Sequence, residues 1–160
     1  MYRPEPSRRG FTLIELLIVL TVVSILCSIA FPSYAAHVLR TRRLEGKLAL
    51  LQVMQAQESV YSRSNRYLAF SADANAGAGS GGDAGSAAVR WWSGASATAS
   101  AYELHAQPCA NADLSQCIEI VATPGTDKVD GRFRDAECGA LSLLSTGEQR
   151  AATGRSACWQ

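Results

Sequence analysis

The amino-acid sequence predicts an α+β fold in which one long, bent N-terminal helix packs on a small antiparallel β-sheet. Three observations predict it. An apolar run near the N-terminus continues into a segment with helical periodicity, and a stretch poor in large apolar residues follows. The last third of the chain alternates apolar and polar residues between turn-forming residues, which is typical of half-exposed strands. A helix followed by consecutive strands favours the α+β class.

The apolar run from Phe11 to Phe31 contains 16 apolar residues among 21. As a helix it would be about 31 Å long, which is enough to cross the hydrocarbon core of a bilayer. Arginines precede it, as in a secretory signal, but the run is longer than such a signal and no small-residue cleavage site follows it. We therefore expect a permanent membrane anchor over residues 11–34. The basic residues on its two flanks nearly balance, which leaves its orientation open.

The segment 35–65 is predicted to be the amphipathic second half of the same helix. A proline at position 32 removes one helical hydrogen bond and is expected to bend the helix. Beyond it, large apolar residues recur at helical spacing among charged and amide residues, and we expect this stripe to face a core. The stripe consists of Leu44, Leu48, Leu51, Met54 and Tyr61.

The segment 66–100 is predicted to be a long loop. From Ser71 to Ser100, 22 of 30 residues are glycine, alanine or serine, so this stretch cannot bury enough apolar surface to form a packed element. Trp91 and Trp92 interrupt it. Either one indole packs back onto the domain, or the pair is an exposed contact for a partner.

The segment 101–160 is predicted to form the antiparallel sheet. Strands are expected over 101–107 and 117–123, and 138–153 is interpreted as a strand, a turn at 145–148 and a return strand. The helix stripe would cover the apolar face of this sheet. The residues expected to face inward are Tyr102, Leu104, Ala106, Ile118, Ile120 and Ala122.

Four cysteines lie in the C-terminal third, after a segment typical of exported proteins, and this arrangement favours two disulfides. Zinc is disfavoured because the sequence has no CxxC pair and only two histidines. Four cysteines allow three connectivities, of which we favour Cys109–Cys117 and Cys138–Cys158. The first pair would close a hairpin loop, and the second would tie the last residues to a strand. A fifth cysteine, Cys27, lies in the apolar run without an evident partner.

No residue pattern predicts an enzyme, a metal or a cofactor. His37 and His105 lie in different predicted elements and neither is adjacent to a serine or cysteine nucleophile. Asp127, Asp130 and Asp135 have carboxylates that suit calcium, but their spacing matches no calcium-binding loop. The formal net charge is +1, which gives no overall argument for nucleic acid as a partner.

The stretch RRG-FTLIELLIVLTVVSILCSIAFPSY resembles the N-terminus of a type IV prepilin. The resemblance rests on a short basic leader that ends at Gly10, then Phe11, then an apolar helix with Glu15 at its fifth position. The segments RTRRLEG, QESVYSRSNRYLAF and CGALSLLSTG…GRSACW are similar to minor pilins of the PilE type. The resemblance implies the type IV pilin fold and covers residues 7–70 and 138–159 most strongly.

The resemblance also implies roles for individual residues. The leader 1–10 would be cleaved between Gly10 and Phe11 by a prepilin peptidase, which then methylates the new amine of Phe11. Glu15 would pair with that amine on a neighbouring subunit and set the stagger of assembly, and Pro32 would belong to the same assembly region. Cys138–Cys158 would enclose the C-terminal loop that pilins of this type call the D-region.

We therefore expect a structural minor subunit of type IV pili that acts in pilus assembly, and so in pilus-dependent motility or adhesion. Its expected partners are other major and minor pilin subunits, the prepilin peptidase and methyltransferase, the inner-membrane assembly platform and, before assembly, membrane lipid. It would sit in the inner membrane with its C-terminal domain in the periplasm, and then in the extracellular fibre.

Two alternatives remain open. A type II secretion pseudopilin has the same N-terminus, although the Cys138–Cys158 pair near the C-terminus argues against it. A DNA-uptake pilin would need an exposed basic stripe. Candidates for such a stripe are Arg132, Arg134, Arg150 and Arg155, but acidic residues lie among them, so nucleic acid is not the expected partner.

Overall fold

The structure is a computed structural model that describes residues 11–75 and 90–160. The predicted leader, residues 1–10, and residues 76–89 of the Gly/Ala/Ser-rich segment lie outside the described residues. By its internal contacts the chain divides into two units, Met1–Val38 and Leu39–Gln160. The second unit contains the sheet and the hydrophobic core.

The long helix α1 comprises 52 residues, Leu13–Ser64. Its apolar part is long and apolar enough to cross a membrane. The helix ends where the sequence predicts, because Asn65 adopts a left-handed backbone conformation with a φ of 51° while its N–H still bonds to the Tyr61 carbonyl at 2.8 Å. Asparagine is one of the few residues that tolerate this conformation at a helix end.

The sheet is an antiparallel meander in the order β1-β2-β3-β4. Tyr102 pairs with Pro124 and Leu141 pairs with both Ala122 and Ala151, which fixes the register. The strands are β1 Tyr102–Pro108, β2 Ile118–Pro124, β3 Leu141–Leu144 and β4 Gln149–Ala151. The short helices are α2 Ala72–Asn75 and the 3-10 helices Ala97–Ala99 and Ser156–Cys158. The predicted α+β architecture is confirmed.

The two ends of the loop segment pair with the free edge of β1. Phe70 bridges to Ala106, and Trp92 bridges to Glu103. Trp91 packs against the core and meets Trp92 edge to face, with ring centroids 5.1 Å apart. One indole of the pair therefore packs back onto the domain, as the first of the two alternatives for this pair predicts.

The core lies between the sheet and one face of α1. The six inward-facing residues predicted for β1 and β2 are all buried, and Cys138, Leu141 and Leu143 join them. The face of α1 that covers them contains residues that recur every three or four positions, as one helix face requires. These residues are Arg43, Gly46, Ala49, Leu50, Val53 and Gln57.

The predicted core stripe of α1 is wrong for its three leucines. Leu44, Leu48 and Leu51 are 54%, 50% and 44% exposed, whereas Met54 and Tyr61 pack partly against the core. The reason is close packing, because a Cβ atom added at Gly46 would lie only 2.8 Å from the ring of Tyr102. Small residues let the helix approach the sheet, so the leucines lie on the opposite side.

We expect Leu50→Ala to lower the free energy of unfolding by about 2–5 kcal/mol, since the side chain is fully buried and its removal leaves a cavity. Leu48→Ala is the matched control and should change it by at most about 0.5 kcal/mol, because half of Leu48 is already exposed. Thermal and denaturant unfolding of the detergent-solubilised chain measures both. Equal losses in the two variants would contradict this orientation of the helix.

Candidate subunit-contact site

The exposed face of α1 carries a line of leucines, Leu44, Leu48 and Leu51, which we call the outer leucine stripe. Its members are four and three residues apart and therefore lie on one side of the helix. Exposed leucine side chains keep apolar surface in contact with water, which is unfavourable. This arrangement suits contact with another protein chain.

The apolar part of α1 is exposed on all sides. Its large apolar side chains would be covered by lipid or by neighbouring helices. Exposed examples are Leu13, Ile14, Leu16, Leu17, Ile18, Val19, Leu20, Val22, Val23, Ile25, Leu26 and Ile29. A helix that is apolar all round belongs in a membrane or in the interior of an assembly. The outer leucine stripe extends this apolar character into the unit that contains the sheet.

Glu15 forms a capping box with Thr12 at the start of α1. Its Oε2 accepts hydrogen bonds from the Thr12 N–H and the Thr12 hydroxyl, both at 3.1 Å, and the Glu15 N–H donates to Thr12 Oγ1 at 3.3 Å. The T-x-x-E pattern of residues 12–15 is a known signal for this motif, and the sequence analysis missed it. The carboxylate thus has partners in its own chain, at the helix end where the dipole favours negative charge. Its pairing with the amine of Phe11 on a neighbouring subunit stays a prediction.

A buried ion pair joins α1 to the segment that leads into the C-terminal disulfide. Arg43 donates to both carboxylate oxygens of Asp135, from Nε at 2.9 Å and from Nη2 at 2.7 Å. The Tyr102 hydroxyl donates to Asp135 Oδ2 at 2.8 Å, and the Cys138 N–H donates to Oδ1 at 3.1 Å. Arg43 Nη2 also reaches Glu137 Oε2 at 3.0 Å. The Asp135 side chain is fully buried and its oxygens are well satisfied.

The surroundings of this ion pair favour the charged forms of both partners. Burial alone would raise the pKa of Asp135, but hydrogen bonds from Arg43, Tyr102 and the Cys138 N–H outweigh it and lower that pKa. The hydrogen bond to Asp135 raises the pKa of Arg43 despite the opposing effect of burial. Burial, and then the hydrogen bond to Asp135, raise the pKa of the Tyr102 hydroxyl. The pair therefore stays ionised at neutral pH, with the tyrosine as a neutral donor.

Two disulfides stabilise the C-terminal region, Cys109–Cys117 and Cys138–Cys158, and the pairing is the one that the sequence favoured. The first closes the hairpin loop between β1 and β2 and packs against Leu144. The second lies fully in the core. Loops of this length are each worth about 3 kcal/mol in the chain-entropy model. Cys27 is exposed on α1 and is not part of a disulfide.

The candidate calcium residues do not form a metal site. Asp135 is occupied by Arg43, and the Asp130 carboxylate accepts the Arg132 N–H at 3.1 Å. No group of three metal-binding side chains occurs among the described residues. His37 lies on α1 and His105 on β1, on two different elements.

The four arginines considered for DNA contact are divided between two places. Arg132 and Arg134 lie in the loop after β2, where Arg134 donates to three backbone carbonyls. Arg150 forms a bidentate pair with Glu148, both bonds at 2.7 Å, and Arg155 lies 3.8 Å from Glu137. Arg150 and Arg155 line a cavity of about 530 Å³ together with Trp159, whose indole N–H donates to the Arg150 carbonyl at 2.8 Å.

We expect Asp135→Asn to lower the free energy of unfolding at pH 7 by about 3–5 kcal/mol, because it leaves the Arg43 charge buried without a full partner. The folded-state pKa of Asp135 is lowered, so its contribution is present above the unfolded pKa of about 3.9 and is lost as the pH falls through the folded value. The difference in stability between wild type and variant should therefore shrink in acid. Thermal unfolding at several pH values measures it.

The control for this prediction is Glu148→Gln, which breaks an ion pair of similar geometry on the surface. Exposed pairs are worth about 0–1 kcal/mol, so the control should remain close to wild type at every pH. An Asp135→Asn variant as stable as this control at pH 7 would contradict the role given to the buried pair.

Comparison with known proteins supports the pilin resemblance. The model of the prokaryotic N-terminal methylation motif matches residues 6–31. The model described as type IV minor pilin ComP, DNA uptake sequence receptor, matches residues 32–142. The chain is 41% identical to the type IV major pilin protein PilA of Myxococcus xanthus over 68 residues, which are 42% of this chain and 31% of that protein.

A solved type IV pilin structure from Shewanella oneidensis is also similar, at 21% sequence identity and a TM-score of 0.42, covering 76% of this chain and 98% of that one. The alignment with the M. xanthus protein spans less than a third of that relative. The minor pilin model, in contrast, matches well over half of this chain. The protein therefore belongs to the type IV minor pilin family of ComP.

Proposed function

We propose that the protein is a structural minor subunit of a type IV pilus, which acts in pilus assembly and so in motility or adhesion that depends on the fibre. The observation that carries this proposal is the outer leucine stripe. Leu44, Leu48 and Leu51 form one continuous line of large exposed apolar side chains, and such a line marks a contact site for another chain more often than isolated surface leucines do. A fibre subunit needs apolar residues there, because neighbouring helices cover them.

The family membership supports the pilus over the type II secretion alternative, since the matched family is one of type IV pilins. That family is one of structural subunits, and we propose that the chain has no catalytic activity of its own. In this proposal its partners are major and minor pilin subunits, the peptidase and methyltransferase that process it, and the inner-membrane assembly platform. Membrane lipid surrounds the helix before assembly.

The methylation motif at residues 6–31 supports the proposed maturation. Cleavage between Gly10 and Phe11 would remove residues 1–10, and methylation of the Phe11 amine would follow. The mature chain would then comprise the helix halves 11–34 and 35–65, the loop 66–100 and the sheet region 101–160. It would pass from the inner membrane, with residues beyond the anchor in the periplasm, into the extracellular fibre.

Glu15 would set the register of assembly in this scheme. A carboxylate in lipid costs about 2.5–3.5 kcal/mol at the bilayer centre, so a subunit that docks out of register and leaves it unpaired is penalised. The capping box with Thr12 gives the carboxylate partners before a neighbour arrives. The bend expected at Pro32 would adapt the same helix to the packed fibre.

The outer leucine stripe gives the experiment that tests subunit function. The triple variant Leu44→Gln, Leu48→Gln and Leu51→Gln should unfold at nearly the wild-type temperature, because these side chains are about half exposed already. Its amount in sheared fibres, relative to the membrane pool, should fall at least about tenfold, since burying polar side chains between helices costs more than 1.4 kcal/mol. Quantitative immunoblotting of both fractions measures this ratio.

The control for this experiment is Arg63→Gln, an exposed position in the last turn of the same helix, about three turns beyond the stripe. It should enter fibres like wild type. A triple variant that enters fibres as efficiently as this control would sink the proposed contact.

A second candidate function is DNA binding, because the description of the matched family names a DNA uptake sequence receptor. The cavity beside Trp159 offers an indole and the Arg155 side chain, which is 63% exposed and only loosely paired with Glu137. Stacking on an aromatic ring and phosphate contact by arginine are the two interactions that nucleic-acid surfaces combine. The nearly balanced overall charge means that any such binding depends on a local site of this kind.

We expect Arg155→Gln to weaken binding of the full chain to duplex DNA about threefold to tenfold and to reduce the slope of log affinity against log salt by about one. Arg63→Gln, in the last turn of α1, is the control and should leave affinity unchanged. Fluorescence anisotropy across a salt series measures both quantities. If wild type shows no salt-dependent affinity, the DNA candidate is wrong and the pilus-subunit proposal is unaffected.

A further inference from the structure

The two edges of the sheet differ in how far their backbone groups are paired. At the β1 edge, Ala106 and Phe70 exchange two backbone hydrogen bonds, at 2.9 and 3.2 Å, and the Leu104 N–H donates to the Trp91 carbonyl at 2.7 Å. At the opposite edge, β4 pairs with β3 and with no other strand among the described residues. The fold therefore covers one edge of the sheet and leaves the other uncovered.

The register of the β3–β4 hairpin decides which backbone groups of β4 point away from the sheet. The Ala152 N–H donates to the Ala140 carbonyl at 2.8 Å, just beyond the end of β4. Hydrogen-bonded pairs alternate with non-bonded pairs along an antiparallel ladder. Arg150 therefore bonds to β3, whereas the backbone groups of Gln149 and Ala151 point outward.

Most of these outward groups have no partner within the described part of the chain. The Gly154 N–H donates to the Ala151 carbonyl at 2.8 Å and so satisfies that group. The Ala151 N–H and both backbone groups of Gln149 have no hydrogen bond to any described residue. An edge with unpaired N–H and C=O groups can pair with a strand of another chain.

The cavity of about 530 Å³ described above lies beside this edge, and its volume is within the range of ordinary ligand sites. Its two arginines differ in how well they are neutralised. Arg150 forms two hydrogen bonds of 2.7 Å with Glu148, whereas Arg155 is 63% exposed and lies 3.8 Å from Glu137. The least neutralised charge at the cavity is therefore positive. Besides β4, the lining includes Arg155, Ser156, Trp159 and Gln160.

We propose that β4 and this cavity accept an extended segment of another protein chain, which adds an antiparallel strand to the sheet and places an acidic side chain against Arg155. A peptide backbone supplies a donor and an acceptor at every second residue, and this matches the outward N–H and C=O of Gln149. The phosphate backbone of DNA matches it less well, because phosphate oxygens only accept hydrogen bonds and would leave the Gln149 carbonyl without a donor. This contact does not require entry into fibres, so it is independent of the pilus-subunit proposal.

Fluorescence anisotropy of the full, detergent-solubilised chain with a short labelled peptide of alternating valine and glutamate tests this proposal. Wild type should bind this acidic peptide. The same peptide N-methylated at every residue has no backbone donors and should bind at least about tenfold more weakly. A peptide with glutamine in place of glutamate should bind about twofold to fivefold more weakly, because Arg155 is largely exposed.

Two variants at one position separate the backbone contact from the side chain. Gln149→Pro removes an outward N–H without removing a ladder bond, which edge strands tolerate, and it should weaken binding at least about tenfold. Gln149→Ala keeps that N–H and is the matched control, which should bind like wild type. Arg155→Gln should bind the glutamate and glutamine peptides equally. Melting temperatures show whether each variant is folded, and the N-methylated peptide decides the question if the proline variant is not.

An acidic peptide that wild type does not bind would overturn the proposal, and so would equal affinity for the N-methylated and unmodified peptides. Wild type that binds duplex DNA but not the peptide would also overturn it and would assign the cavity to the DNA candidate.

Discussion

The buried ion pair between Arg43 and Asp135 fixes which side of helix α1 faces the sheet. Successive helical residues are about 100° apart, so a shift of one position would bring Leu44 to the place of Arg43 and leave two charges buried without partners. With the pair formed, Gly46 meets the ring of Tyr102 and Leu50 enters the core. The same rotation places the outer leucine stripe on the opposite side. One interaction thus determines both the core of the domain and the surface that is left for other chains.

This arrangement suits a single helix to three surroundings, which are lipid, the sheet of its own domain and neighbouring chains. Its first part is apolar on all sides and suits lipid or a helical bundle. Its second part presents small residues to the sheet and leucines away from it. The arginines at the start of that second part divide in the same way, since Arg43 acts inside the domain while Arg40 is exposed. In the proposed passage from membrane to fibre, the outward residues would exchange partners while the core would stay unchanged.

The strands and the helix end could be predicted from sequence because each depends on local signals. Alternation in 101–107 and 117–123 identified every inward residue of β1 and β2, and the polar segment after Tyr61 located the end of α1. The side of the helix could not be read in this way. Counting large apolar residues selected Leu44, Leu48 and Leu51, whereas the true core face contains a glycine, an alanine, a glutamine and an arginine. The glycine is required because the helix lies close to the ring of Tyr102, and the arginine is required because it pairs with Asp135, about 90 residues away. The spacing of apolar residues along the helix reveals neither requirement.

The capping box of Thr12 and Glu15 is different, because its signal lies within four residues and was available in the sequence. An acid in an apolar run suggests a partner on another chain, whereas the partner of Glu15 in this structure is Thr12, three residues away. The description of the matched family names DNA, whereas the balanced overall charge disfavoured DNA as a partner. A sum of charges over the whole chain does not reveal local sites such as the cavity beside Trp159.

The most direct measurement for the central claim, that this chain is a processed subunit of the fibre, is the intact mass and N-terminal sequence of the protein in sheared surface fibres, with and without reductant. The account predicts a chain that starts at N-methylated Phe11 and is four hydrogen atoms lighter before reduction, because two disulfides are formed. A chain that retains Met1 and is confined to the membrane fraction would contradict it and would leave only an anchored domain.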